Sequence, residues 1–417
     1  GEVVVEETIR VTGGTSLNIT GAGPGAIVDG GNTTQLFYVS GGSSLHLSDL
    51  TLTRGNATGD GGAIYMDHSS VSFAGNMSFI ANSAQVNGGA IYAQSDSNVS
   101  WHGDDTEFIS NVAQVDGGTI YAGQESTFSW DGDGTQFISN SATNGGAAYV
   151  FDSNVSWHGD GTQFANNSAS RIGGAIYAGQ ESTLFWDGDG TEFGNNSGVD
   201  GGAIYAYEST VFWDGDGTAF SNNHAGFWGG AIWALSDSTV SWDGDGTKFS
   251  NNYAYDRGGA IKASSSNVSW DGAGTAFSNN YSGFWGGAIY AESDSTVSWD
   301  GDGTEFSNNS ADVAGGAIYV NHGSIVSFDE NTTFIDKFAG EDGGALYVSE
   351  LNTYFGFDLA IGTAFIGNSA GSAGGAIYLL NCDTGLSFTD VTFESNSASG
   401  AGGAVAAFAI GIRGSPS

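Results

Sequence analysis

From about residue 60 onward, apolar and polar residues alternate one by one in short runs such as AIYA, STVSW and KFS, with Gly, Asp and Asn between the runs. A period of two predicts half-buried strands, and the apolar spacing of an amphipathic helix is missing. The runs recur in one order: GGAIYA, STVSW, DGDGT, xFSNN. The Gly-Gly pairs that open the units begin at Gly61, Gly88, Gly117, Gly145, Gly173, Gly201, Gly229, Gly258, Gly286, Gly315, Gly343, Gly374 and Gly402. A fixed period of about 28 residues predicts a solenoid, a propeller or an array. Three short strands per unit fit one turn of a parallel β-helix. A propeller blade needs four strands and about 40 residues. A leucine-rich repeat needs Leu at positions where this chain has none.

Comparing the copies assigns the faces. The column after Gly-Gly-Ala (Ile64, Ile91, Ile120, Ala148, Ile176, Ile204 and onward to Val405) admits no polar residue, so it faces the core. The next column is mostly Tyr but accepts Trp233 and Lys262. An ammonium group is almost never buried without a partner, so this column is expected to face solvent, and Tyr205→Ser or Tyr290→Ser to cost little. In the second strand Val99, Val155 and Val211 share parity with Trp101, Trp157 and Trp213, and both columns are assigned to the interior. Phe73, Phe328, Phe357 and Phe388 continue the Trp column at its two ends. The third strand carries Phe, followed three positions later by Asn in every copy but one, where Lys337 stands. An Asn recurring at a turn can bond backbone groups of its own and adjacent rungs, which predicts an asparagine ladder.

DGDGT begins at Asp131, Asp187, Asp214, Asp243 and Asp300, with variants at His102, His158 and Asp271. It looks like the front half of an EF-hand loop, but the twelfth position counted from Asp243 is Ala254 and the flanks are strands, so that reading fails. Two readings of these corners remain. Stacked carboxylates about 4.8 Å apart cost only about 1 kcal/mol per pair in water, so solvated turn residues suffice. The alternative is a row of weak Ca²⁺ sites using Asp131, Asp133, Asp187, Asp189, Asp214, Asp216, Asp243, Asp245, Asp300 and Asp302. No other cofactor is indicated.

GGAI followed at a distance by FxxN is the paired signature of the chlamydial polymorphic outer membrane proteins, and the chain resembles that repeat family over residues 50 to 405. The resemblance implies an all-β, right-handed parallel β-helix of about 13 regular rungs, used as a surface-displayed adhesive or structural domain. Residues 1–50 read as an N-terminal cap with irregular first rungs, and residues 51–417 as one continuous run of repeats. Thirteen to fifteen rungs would make a rod of roughly 60 to 75 Å. Two features depart from the bacterial members: no C-terminal translocating barrel follows, and Cys382 is the single cysteine.

Composition narrows the classes. Acidic residues outnumber basic ones 46 to 8, for a formal net charge of −38. Binding to nucleic acid or anionic lipid needs clustered Lys and Arg, so both are excluded as main functions. No apolar run is long enough for a membrane helix. No N-terminal signal is recognisable, so Gly1 is expected to be a mature end or an artificial boundary. One Cys allows no intrachain disulfide. Twelve N-x-S/T sequons occur. Asn18, Asn32, Asn56, Asn76, Asn98, Asn154, Asn166, Asn195, Asn267, Asn308 and Asn331 are expected to carry glycan, and Asn280, in the ladder column, to stay bare. The expectation is a secreted eukaryotic glycoprotein, extracellular or at a cell surface.

The repeat is broken most clearly between residues 227 and 285, where Phe227, Trp228, Trp233, Tyr255, Arg257, Lys262, Phe284 and Trp285 gather aromatic and basic residues. Exposed aromatics at turns stack on sugars or bury against another chain, which makes this a candidate binding patch, with glycans as one ligand class. Polysaccharide lyases and hydrolases also use parallel β-helices, and Lys262 or Arg257 would be the base. No carboxylate pair stands out, so non-enzymatic function is preferred. A calcium-dependent glycan-binding module is a further alternative. The C-terminal GGAVAAFAIGIRGSPS has no polar closing element. The end carrying Phe408 and Ile410 is therefore expected to dock onto another copy or another surface protein, as in a head-to-tail fibre.

Overall fold

A computed structural model describes residues 1–408 apart from positions 24, 329, 350–357, 360, 383–386 and 389; the side chains of 358, 359, 387 and 388 are also outside the description. Phe357, Phe388 and Ile410 thus lie outside it. The chain forms two compact units, Gly1–Gly215 and Asp216–Ser417. Every regular element among the described residues is a β-strand. No helix there is long and apolar enough to cross a membrane.

Both units are parallel β-solenoids. A turn of the first unit runs through Ile120–Gly123, Thr127–Trp130, Gln136–Ile138 and Ser141–Asn144. Strands pair in parallel with their counterparts one repeat on, so identical residues stack: Tyr121 on Tyr149, Trp130 on Trp157, Phe137 on Phe164. The second unit repeats this through Ile261–Ser264, Asn267–Trp270, Ala276–Ser278 and Tyr281–Ser282. The fourth strand of each turn is not visible in the sequence, because it is mostly too short to display alternation. Its inward residue is small, as at Ala84 and Ala113, both buried. The opening residues already wind in register: Glu2–Val4, Ile9–Val11 and Ser16–Thr20 pair with Ala26–Asp29, Phe37–Ser40 and Ser44–Ser48.

The assigned interior is the core. Trp101, Trp130, Trp157 and Trp186 are buried and stacked at 4.2 to 5.1 Å between ring centroids. The Phe column stacks beside them, as at Phe108 and Phe137 at 4.7 Å, with its rings set at 72° to the indoles. Offset stacks crossed by edge contacts are the arrangement ring quadrupoles favour. Burying one such indole contributes at most about 5 kcal/mol. Phe73 stacks on Trp101 at 4.6 Å, and in the second unit Phe328 stacks on Trp299 at 5.3 Å, so both extend the column.

The Tyr column needs correcting. It points away from the core, but it does not stand in open solvent. The rings lie on one another, as Tyr149 on Tyr177 at 4.4 Å and Tyr319 on Tyr347 at 4.5 Å, and most are half-buried. Tyr290 is buried outright. Parity gives the direction of a side chain; the neighbours above and below, each one repeat away, decide how much water it meets. Desolvation raises these phenols, Tyr65 to about 12.

The asparagine ladder is present. Asn140 Nδ2 donates to Phe108 O at 2.9 Å and to Asn167 Oδ1 at 3.0 Å, while its backbone N–H donates to the same Oδ1 at 3.0 Å. Each ladder amide therefore ties three rungs together and gives partners to backbone groups of the turn. The Gly-Gly step beside it has two causes: Gly173 sits at φ +65°, and a Cβ on Gly174 would run into Gly202 O.

Candidate functional site

The second unit holds the interrupted region, and the structure divides its eight predicted residues into two groups. Five turn in on one another around an ion pair, on the side of the Tyr strand that points away from the core. Lys262 takes a Tyr position in register between Trp233 and Tyr290. It is only 3% exposed, and its Nζ lies 3.0 Å from Glu292 Oε1 and 4.1 Å from the centre of the Trp228 ring. Arg257 lies over Trp285 at 4.6 Å and over Tyr290 at 5.2 Å, with Glu292 Oε2 3.6 Å from its guanidinium. Trp228 Nε1 donates to Asp256 Oδ2 at 2.9 Å. The inference that a Lys marks a solvent-facing column is overturned here, because a carboxylate and several aromatic faces replace the water it would lose.

Glu292 organises this cluster. It accepts from Lys262, from Ser264 Oγ at 2.9 Å and from Tyr290 Oη at 3.0 Å. Burial pushes its carboxyl up, but the Lys262 charge and these hydrogen bonds outweigh that and hold it below the usual value. Burial lowers Lys262, against the pull of Glu292. Sequence comparison passes over Glu292 because its column reads Leu235, Ser264, Glu292 and Asn321, with no constant type to depart from. Its place on the same strand as Tyr290 and of the same parity is the available signal. Lys262, the candidate base of the enzyme alternative, is already engaged and closed to a substrate.

The other three residues point out. Phe227, Tyr255 and Phe284 are 50%, 55% and 39% exposed, with successive ring centroids 6.3 Å apart. Beside them His224, Tyr253 and Tyr281 stack at 4.8 and 5.4 Å, and Tyr281 Oη donates to Asp312 at 2.7 Å. Together these rings make an aromatic ridge on the outside of the short-strand sheet. His224 and Tyr281 give no signal of their own in the sequence, since each is unremarkable until the register sets it beside Tyr253.

The Asp corners are exposed, and their central glycine has a steric cause: a Cβ on Gly132 would strike Gly103 O. The second Asp accepts a backbone N–H from the next rung. Asp133 Oδ1 receives Asp160 N at 2.9 Å, Asp160 Oδ1 receives Asp189 N at 2.8 Å, and Asp216 Oδ1 receives Asp245 N at 2.7 Å. The first Asp meets His where the variant motif precedes it, with Asp131 2.8 Å from His102 and Asp187 2.9 Å from His158. Among the described residues no three His, Cys, Asp or Glu side chains converge as a metal site. At each of these corners the second Asp thus serves as a backbone acceptor for the next rung. Of the eleven sequons expected to be modified, all are exposed except half-buried Asn56, whereas Asn280 is fully buried in the ladder.

Eight stretches match the Chlamydia polymorphic membrane protein repeat: residues 70–94, 161–179, 217–235, 246–264, 274–292, 303–321, 362–379 and 390–407. The chain carries repeats of this family. No curated protein matches it, and no solved structure does. Seven of the eight polymorphic membrane protein repeats begin after the second strand of a turn and end in, or one residue past, the strand that follows the Gly-Gly step. What they share is therefore the Phe strand, the ladder Asn, the Gly-Gly-Ala step and the inward apolar residue that follows it, which are the parts that make one turn stack on the next. The ion-pair cluster and the aromatic ridge fall inside or between three consecutive repeats, 217–235, 246–264 and 274–292.

Proposed function

We propose that this chain is a surface-displayed, non-enzymatic adhesive domain that meets its partner, another surface macromolecule, through Phe227, Tyr255 and Phe284. The exposed ridge carries this reading. Three large rings on consecutive turns remain open to water although the fold has no need of them, and contiguous exposed aromatics mark contact sites. The ion-pair cluster supports the ridge: Trp228 and Trp285 adjoin Phe227 and Phe284 in sequence, and both are anchored by polar or cation–π contacts. The ridge therefore stands on a braced base, and such preorganisation reduces the entropy lost on binding. The polymorphic membrane protein repeats are consistent with display at a cell surface.

The test is binding of the whole chain to intact cultured epithelial cells, compared with F227S/Y255S/F284S. The side chains are exposed, so the triple variant should melt within a few degrees of the parent while binding falls at least tenfold. Parent binding no higher than a bead control, or undiminished binding by a folded triple variant, overturns the proposal.

A further inference from the structure

The first unit carries a cleft of about 800 Å³ on the outside of its opening turns, lined among others by Glu6, Glu7, Arg10, Tyr38, Asp60 and Tyr65. Its floor begins the Tyr column: Arg10 pairs with Tyr38 and Tyr38 with Tyr65. The guanidinium lies over the Tyr38 ring at 4.6 Å, and the two Tyr rings stack at 4.9 Å and 2°. In this column of the first unit Arg10 is the only charged residue. One wall is clamped, with Gln35 Nε2 donating to Asp60 O at 2.8 Å and to Gly61 O at 2.7 Å. Asp60 Oδ1 accepts Asn87 N at 3.0 Å, and burial raises its carboxyl.

We propose that this cleft binds a neutral oligosaccharide through Arg10, Glu6, Glu7 and Asp60. Charge narrows the ligand. Three carboxylates around one guanidinium, in a chain of formal charge −38, repel an anionic glycan. A cation is drawn by the carboxylates but would have to sit against the Arg10 guanidinium in the floor, where like charges repel, whereas a neutral ligand can use both. Among the described residues Arg10, Glu6 and Glu7 form no ion pair, although basic side chains are scarce in this protein. The cleft therefore offers guanidinium donors beside carboxylate acceptors. A sugar hydroxyl donates and accepts at once and bridges such a pair without bringing charge. Recognition is by hydrogen bonds and not by ring stacking, because Arg10 covers the Tyr38 face and Tyr65 is covered by its neighbours. The volume suits a ligand of one to three sugar units, and the clamped wall means that little must be ordered on binding.

Isothermal titration of the whole chain with maltotriose, cellotriose and triacetylchitotriose, with trigalacturonate and chitosan trimer as charged controls, tests this. At least one neutral trisaccharide should bind with Kd of about 1 mM or tighter. R10K keeps a cation over Tyr38 but loses the planar fork, and should weaken binding at least tenfold with an unchanged melting curve; E7Q should weaken it several-fold. The ridge variant F227S/Y255S/F284S should bind as the parent does, so failure of the adhesive reading and failure of this one are separable. No neutral binding up to about 10 mM, tighter binding of either charged trimer, or unchanged affinity in R10K would each overturn the proposal.

Discussion

Lys262 and Glu292 meet at 3.0 Å on adjacent strands of the second unit, with the lysine 3% exposed and capped by the Trp228 ring. Each is tolerable only because the other is present. Removing the carboxylate strands an ammonium group in a desolvated place, which costs about 3 to 5 kcal/mol. Glu292→Gln should therefore lower the urea midpoint strongly. Lys262→Tyr restores the residue most other turns carry there and leaves Glu292 with Arg257, so it should cost under about 1.5 kcal/mol. Equal loss in both variants would show that the pair is not the source of the effect.

Lys337 replaces Asn in the ladder and is 1% exposed, its Nζ donating to Ile335 O at 2.6 Å. Burial lowers it from 10.5 to about 6, against the weaker pull of Asp336 and Glu305. Between those values the unfolded chain binds a proton that the folded chain does not, so stability rises with pH from about 6 towards 10.5. Below about 6 both states are protonated and the penalty is fully present. Lys337→Asn should raise stability by a few kcal/mol at pH 7 and flatten that slope. Denaturant melts at pH 6, 7.5 and 9 read it, and an unchanged slope in the variant would assign the pH dependence elsewhere.

Gly132→Ala should destabilise by about 2 kcal/mol or more, because the new methyl meets the Gly103 carbonyl across the rung. Asp214→Asn, on an exposed corner, should stay within about 0.5 kcal/mol. Since the second Asp of a corner already accepts a backbone N–H, Ca²⁺ at about 5 mM should leave the melting temperature where EDTA leaves it. A rise with Ca²⁺ that D214N diminishes would restore the row of cation sites.

Expression in a secreting eukaryotic cell, followed by peptide mapping, should find glycan on exposed sequons such as Asn98, Asn154 and Asn267 and none on Asn280. The Asn280 Nδ2 that an oligosaccharide would occupy donates to Phe249 O and Asn309 Oδ1, both at 2.9 Å. Modification of Asn280 in folded protein would contradict the ladder.

The constant period, the inward Ile, Val, Trp and Phe columns and the asparagine ladder are all legible in the chain, because a solenoid repeats one local solution. Thirteen copies of that solution act as an internal comparison, and alternation within one short strand reports direction without knowledge of distant contacts. The glycine of each Asp-Gly-Asp corner is legible as a constant, though its cause, the carbonyl of the adjacent rung, is not.

Whatever depends on the neighbour one turn away is decided only by the tertiary structure. The Tyr column reads as solvent-facing because parity shows where a side chain points, and it is the 4.4 to 5.5 Å stacking of rings from successive repeats that excludes water from it. Lys262 reads as a mark of exposure because its partner, Glu292, lies one repeat further on in a column with no constant residue. The eight patch residues form one group in sequence and two in space, since strand register sends alternate side chains to opposite sides of a turn and only packing settles which of them meet water. The cleft over Arg10 and Tyr38 leaves no signal in the chain, being an empty volume bounded by segments from separate turns. Direction along a strand is a local property of an L-polypeptide and can be read from sequence, whereas burial, charge pairing and cavities belong to pairs of distant segments and exist only once the turns are stacked.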